Sequence, residues 1–105
     1  MALPTKKEYY AMKTIIDPGS TCCYLCGKSA NLECHHIFGG SNRKASDCYG
    51  LTVRLCHACH NEPPHGVHFN ARKRRQLQRK AQQIAMRRYN WDICDFRDIF
   101  GKNYL

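Results

Sequence analysis

The sequence predicts a single small α+β zinc domain. Three observations predict it. Two C-x-x-C pairs, Cys23/Cys26 and Cys56/Cys59, bracket a stretch that reads as two strands. That stretch contains Gly39-Gly40 and a run of polar residues, as a long hairpin connection would. A basic segment with helical periodicity follows it. With 105 residues the chain has room for one domain and only a modest core, so a structural metal would matter to its stability.

Each element has a local justification. Thr5-x-x-Glu8 after Pro4 is a capping-box pattern and predicts a helix from about Lys6 to Ile16, broken by Asp17-Pro18-Gly19-Ser20. We divide the chain into an N-terminal helix or extension over 1–19, a zinc clip and core over 22–68, and a basic helical part over 69–105. Cys23-Tyr24-Leu25-Cys26-Gly27-Lys28 reads as a metal knuckle, with Gly27 permitting the tight turn. Leu32 to Ile37 and Leu51 to Leu55 read as paired strands, and 38–50 as a polar loop between them. Pro63-Pro64 interrupts regular structure after the second knuckle. From about Asn70 to Asn90, Leu77, Ala81, Ile84, Ala85 and Tyr89 form an apolar stripe at three- and four-residue spacing, and a short helix is expected around Asp92 to Phe100, ending near Gly101.

Charge and cysteine usage narrow the function classes. Seventeen Lys and Arg against eight Asp and Glu give a net charge of +9, which suits a polyanionic partner, most often nucleic acid. Eight cysteines in a short chain raise the alternative of a secreted disulfide framework. The start, Met1 to Lys7, lacks the apolar core of a signal peptide, and no run reaches the ~20 apolar residues of a membrane span. A reducing cytoplasm with metal-binding thiolates is therefore expected.

Four sulfurs from two knuckles suit a closed tetrahedral zinc site, with Zn–S bonds of ~2.3 Å. Cys23, Cys26, Cys56 and Cys59 are the expected ligands; Cys22 is one residue further from Cys26. Redox catalysis through C-x-x-C is the rival reading, but redox motifs rarely come as two matched pairs. Cys34, Cys48 and Cys94 read as buried or incidental small hydrophobes.

All six histidines fall between positions 35 and 68. His35 and His36 point to opposite faces of a strand unless it bends, and Gly39-Gly40 makes a bend available. One can then bind a metal while the other approaches a substrate. His60, His65 and His68 are further ligand candidates for a second divalent ion, and imidazoles suit zinc, nickel, manganese or iron better than calcium. His57, inside the knuckle, reads as a surface or supporting group.

Cys23-x-x-Cys26, His35-His36 and Leu55-Cys56-x-x-Cys59-His60 together resemble the HNH nucleases, the ββα-metal group. Glu33 to Gly40, Val67 to Asn70 and Ile99 to Leu105 are similar to small phage-encoded members. The resemblance spans about 22–105 and implies a treble-clef-like ββα-metal fold with a basic C-terminal helix. It implies His36 as general base, His35 and His60 as ligands of a catalytic ion, and His68, ahead of His65, as the third. The family's central Asn is absent: Gly50, Leu51 or Thr52 stands in its place.

The resemblance also implies metal-dependent hydrolysis of DNA phosphodiesters in a host cytoplasm, with structural Zn²⁺ and a catalytic Mg²⁺, Mn²⁺, Ni²⁺ or Zn²⁺. DNA would be held through its backbone by Arg43, Lys44, Arg72, Arg75, Arg79 and Lys80, with low sequence specificity. Arg43 or Arg54 would brace the scissile phosphate. The alternative is a catalytically idle zinc module that binds nucleic acid or a phage assembly partner. His36 beside a second ion site distinguishes the two, since a binding module needs neither.

Overall fold

A computed structural model describes residues 13–105 of the chain. Strand β1 (Leu32–His36) pairs antiparallel with β2 (Thr52–Cys56), in a register that sets Leu32 opposite Cys56 and His36 opposite Thr52. Helices α1 (Arg43–Tyr49), α2 (His57–Asn61), α3 (Ala71–Tyr89) and α4 (Ile93–Phe100) complete the order β1-α1-β2-α2-α3-α4. The expected α+β class is observed. A hairpin followed by helices and carrying Cys and His clusters suits a small zinc-binding ββα-type domain.

Most of the expected helix over Lys6 to Ile16 lies outside the described residues. Within them, Thr14 has already left the helical conformation. Its hydroxyl donates to the carbonyls of Gly50 and Thr52, and the Ile15 amide donates to Gly50 at 2.9 Å. Side-chain bonding to backbone competes with helix at such a position. The segment passes so close to Gly50 that a Cβ there would meet the Lys13 carbonyl at 2.6 Å, and Gly50 also holds φ +72° as the cap of α1. Only glycine suits both demands.

The loop expected over 38–50 is instead largely helical. A 3₁₀ turn (Gly40–Asn42) runs directly into α1. The pattern concealed this helix because it buries only Ser46, so no apolar stripe marks it. The Ser46 hydroxyl accepts from the Phe38 amide (3.1 Å) and donates to the Phe38 carbonyl (2.7 Å). It therefore fastens the exit of β1 to α1. The Phe38 ring packs against Phe96, Phe100 and Tyr104, and Asn42 donates to the Phe100 carbonyl at 2.8 Å.

The C-terminal helices follow their sequence signals. Asn70 caps α3 by accepting from the Lys73 amide. Asp92 and Asp95 form a reciprocal capping box at the start of α4, and Gly101 ends it. Of the expected α3 stripe, Leu77, Ala81 and Ala85 are buried, while Ile84 and Tyr89 are only partly covered. Gln82 takes a core position instead. Its amide donates to Asn103 (2.8 Å) and accepts from the Tyr104 amide (2.7 Å), so the buried polar group is satisfied.

Candidate metal centres

The two knuckles converge. One sulfur from each of Cys23, Cys26, Cys56 and Cys59 lies within 4.8 Å of the others, and the Sγ atoms of Cys26 and Cys56 are 3.5 Å apart. Bonds from the Cys23 amide to Lys28 and from the Gly27 amide to Cys23 close the first knuckle. The Tyr24 amide donates to Arg54 on β2 at 2.8 Å and sets that knuckle against the second. Cys22 is turned away, its sulfur 3.7 Å from the Ser20 hydroxyl, so Cys23 is the member that faces the cluster.

The chemistry of the set fits a divalent cation. Burial opposes ionisation of Cys23, but backbone amides of Cys56, Cys26 and Leu25 bring its thiol down to about 6. Burial and the neighbouring sulfurs push Cys59 up. Four clustered thiols cannot all ionise unaided, whereas zinc takes all four as thiolates. The cluster thus suggests a structural zinc site. Cys34, Cys48 and Cys94 lie outside it; Cys48 and Cys94 are exposed rather than buried.

A second cluster sits on the other part of the hairpin. His35 from β1, His60 from α2 and His68 from the following turn place one ring nitrogen each within 4.8 Å of the others. Their ring centroids are 4.6–5.2 Å apart. His68, not His65, joins the group. The Arg74 guanidinium secures it, donating to the Val67 carbonyl at 3.1 Å and reaching the His68 carbonyl at 3.5 Å.

Glu33 orients His60. Its carboxylate accepts from His60 Nδ1 (2.8 Å), His57 Nδ1 (3.0 Å) and Asn61 Nδ2 (3.2 Å). The His60 bond is the main cause holding the Glu33 carboxyl below its usual range. With Nδ1 committed as donor, His60 presents the Nε2 lone pair toward the cluster, an arrangement common in metal-bound histidines. Glu33 and His35 share one face of β1 by their two-residue spacing, the signal that would have revealed this pairing.

His35 supplies the test of fit. Its Nε2 is buried and has no hydrogen-bond partner. Such an orphan costs about 1–3 kcal/mol unless something meets it. A cation shared with His60 and His68 would. Burial, then the nearby His60 and His68, hold the His35 imidazole down at about 3, so it stays neutral and able to ligate at ordinary pH. Burial likewise lowers His68.

Linkage gives a sign. Between about pH 6.5 and about pH 3 the unfolded chain takes up a proton that folded His35 refuses, so stability should fall on acidification through that window. Denaturant titrations without added divalent ion should show a shallower acid slope for His35→Phe than for the wild type.

His36 ends β1 beside this cluster, its side chain only 9% exposed. Although alternate strand residues face apart, both His35 and His36 reach one depression of about 220 Å³, with Cys34, Gly39, Gly40, Arg43, His60 and His68. His36 Nε2 lies 3.1 Å from Asp47 Oδ1 on α1, a partner that no sequence signal singles out. Arg54 does not line the depression, and Lys44 is exposed nearby on α1. On α3, Arg72, Arg75 and Arg79 line a shared depression with Gln76 and Tyr104. Lys80 lies over the Tyr24 ring instead, 5.3 Å from its centroid, so it faces a different groove.

Comparisons of the chain with protein-family models, with curated proteins and with solved structures found no match. The described residues form a small ββα-type domain, and among them lie one cluster of four cysteines and one of three histidines. Among the described residues no helix is long and apolar enough to cross a membrane.

Proposed function

We propose that the protein is a metal-dependent endonuclease of the HNH kind that hydrolyses DNA phosphodiester bonds. The observation that carries this reading is the second cluster: three converging histidines, separate from the four cysteines, with His36 and Arg43 in the same depression. A module that only binds needs neither His36 at that place nor a second ion site.

His35, His60 and His68 would hold a divalent ion. Such an ion supplies Lewis-acid stabilisation of charge on the phosphoryl and leaving oxygens. His36 takes a proton from the attacking water, which adds to phosphorus in line as the bond to the 3′ oxygen breaks. A histidine base needs no large tuning near neutral pH. Arg43, at the rim, steadies the phosphate. Plasmid nicking across an ion series tests the reading: activity should need an added or exchangeable ion beyond the zinc. Wild-type protein that binds DNA but never nicks it with any ion would reduce the protein to a zinc module that binds nucleic acid.

Arg72, Arg75 and Arg79 on one side of α3 would grip backbone phosphates. Replacing all three with Gln should weaken duplex binding alike across sequences. The slope of log affinity against log salt should shrink by up to ~0.9 for each phosphate no longer engaged. An unchanged slope would assign this face of α3 to packing or to a protein partner.

A further inference from the structure

We infer that α3 is a ridge suited to the major groove of B-form DNA, with Gln76 and Gln83 at its crest reading base edges. This rests on the reading of DNA as the partner and adds base contact to backbone grip. The layout of the helix is the first support. Leu77, Ala81, Gln82 and Ala85 are buried, whereas Arg72, Arg75, Gln76, Arg79, Lys80 and Gln83 are exposed. At 3.6 residues per turn, Gln76 and Gln83 fall two turns apart on nearly one line, roughly opposite Ala81 and Ala85. On the same wheel Arg72, Arg75 and Arg79 stand to one side of that line, and Lys73 and Lys80 to the other.

The surface on either side repeats that division. Arg72, Arg75 and Arg79 border one hollow, Lys73 and Lys80 border another beside the first knuckle, and Gln76 lines both. The helix is therefore a crest with a basic hollow on each flank. No acidic side chain lines either hollow, and α3 itself carries none. A helix with its side chains is about 10–12 Å across, and the major groove of B-DNA is about 12 Å wide between its two phosphate strands. One hollow then meets each strand. The flanks are unequal: Cys26 and Cys59 border the lysine hollow, and thiolate charge there makes it the weaker attractor of phosphate.

The crest carries the right chemistry for bases. A glutamine amide offers a donor and an acceptor side by side, which match N7 and the N6 amino group of adenine in the major groove. Gln82, by contrast, uses its amide on Asn103 and Tyr104 in the core. Gln76 and Gln83 lie about 10 Å apart along the axis, which spans two to three base-pair steps of about 3.4 Å. Two adenines at that separation are the expected preference. The crest is also tied to the histidine cluster. Lys73 donates to the His65 carbonyl at 3.2 Å and Arg74 to the Val67 carbonyl at 3.1 Å, in the turn that carries His68. Base preference should therefore influence where cuts fall.

Binding selection from a random duplex DNA library, read by sequencing, tests this without cleavage. The wild type should enrich duplexes with two adenines two to three steps apart. In an enriched duplex, replacing those adenines with 7-deazaadenine removes the N7 acceptor alone. Wild-type affinity should then fall about 5- to 10-fold, the lower part of the discrimination expected of a bidentate contact. The double variant Gln76→Ala/Gln83→Ala should bind both duplexes alike, with the wild-type salt slope and melting transition. Equal wild-type binding to the two duplexes would overturn the inference, as would a double variant that keeps the preference. Tighter binding to duplex RNA would also overturn it, because the A-form major groove is too narrow to admit the helix. If the wild type binds no duplex DNA, the reading of DNA as partner fails and takes the inference with it. If duplex DNA binds without base preference, only the role of the glutamines fails.

Discussion

Cys56→Ser should lose zinc and cooperative folding together. Cys56 ends β2, caps α2 and faces Cys26 at 3.5 Å, so its sulfur joins the hairpin to both knuckles. Zinc binding in small Cys-rich peptides is worth roughly 10–16 kcal/mol at neutral pH. Whole domains are stable by only about 5–15 kcal/mol. Loss of the ion therefore reaches the scale of the entire folding free energy. Metal analysis and thermal unfolding of Cys56→Ser check this, with Cys48→Ser, an exposed thiol outside the cluster, as the comparison expected to keep both zinc and melting transition. Full zinc and an unshifted transition in Cys56→Ser would remove that cysteine from the ligand set. Because His57 and His60 lie on the helix that Cys56 caps, loss of zinc should also disperse the histidine cluster.

His36→Ala should abolish most cleavage while sparing DNA affinity and the metal content of the protein. The ring is not one of the three that converge, yet it lines the same depression. A positioned general base contributes typically ~10²–10⁴ in rate. The fold should survive the change, since the exit of β1 is still held by Ser46 and by the Ile37 amide bond to Leu51. Single-turnover nicking rates, read beside metal content and DNA affinity, separate lost chemistry from lost structure.

The parts of the molecule visible in the sequence are those whose signals are local. Matched C-x-x-C spacing revealed the thiol cluster, and caps with apolar spacing revealed α3 and α4 to within a residue or two. Helix α1 escaped because seven residues with one buried serine carry no periodicity. Gln82 escaped because its place in the core depends on Asn103 and Tyr104, about twenty positions away. In the histidine group, clustering along the chain was visible but not the geometry that selects His68 over His65, which follows from how the turn after α2 is folded and how Arg74 ties it down. Glu33 and Asp47 were hidden for a related reason: each meets a histidine ring that lies on another element.

The most direct measurement of a histidine base beside a separate histidine-held ion is the cleavage rate of His36→Ala and His60→Ala, each titrated with Mn²⁺ or Ni²⁺ to saturation. His60 presents its ring to the cluster from a fixed bond to Glu33, so its loss should weaken the ion without removing the base. Excess ion should then restore much of the His60→Ala rate, while His36→Ala should stay slow at every concentration. Rescue of His36→Ala by excess ion, with none for His60→Ala, would contradict both assignments.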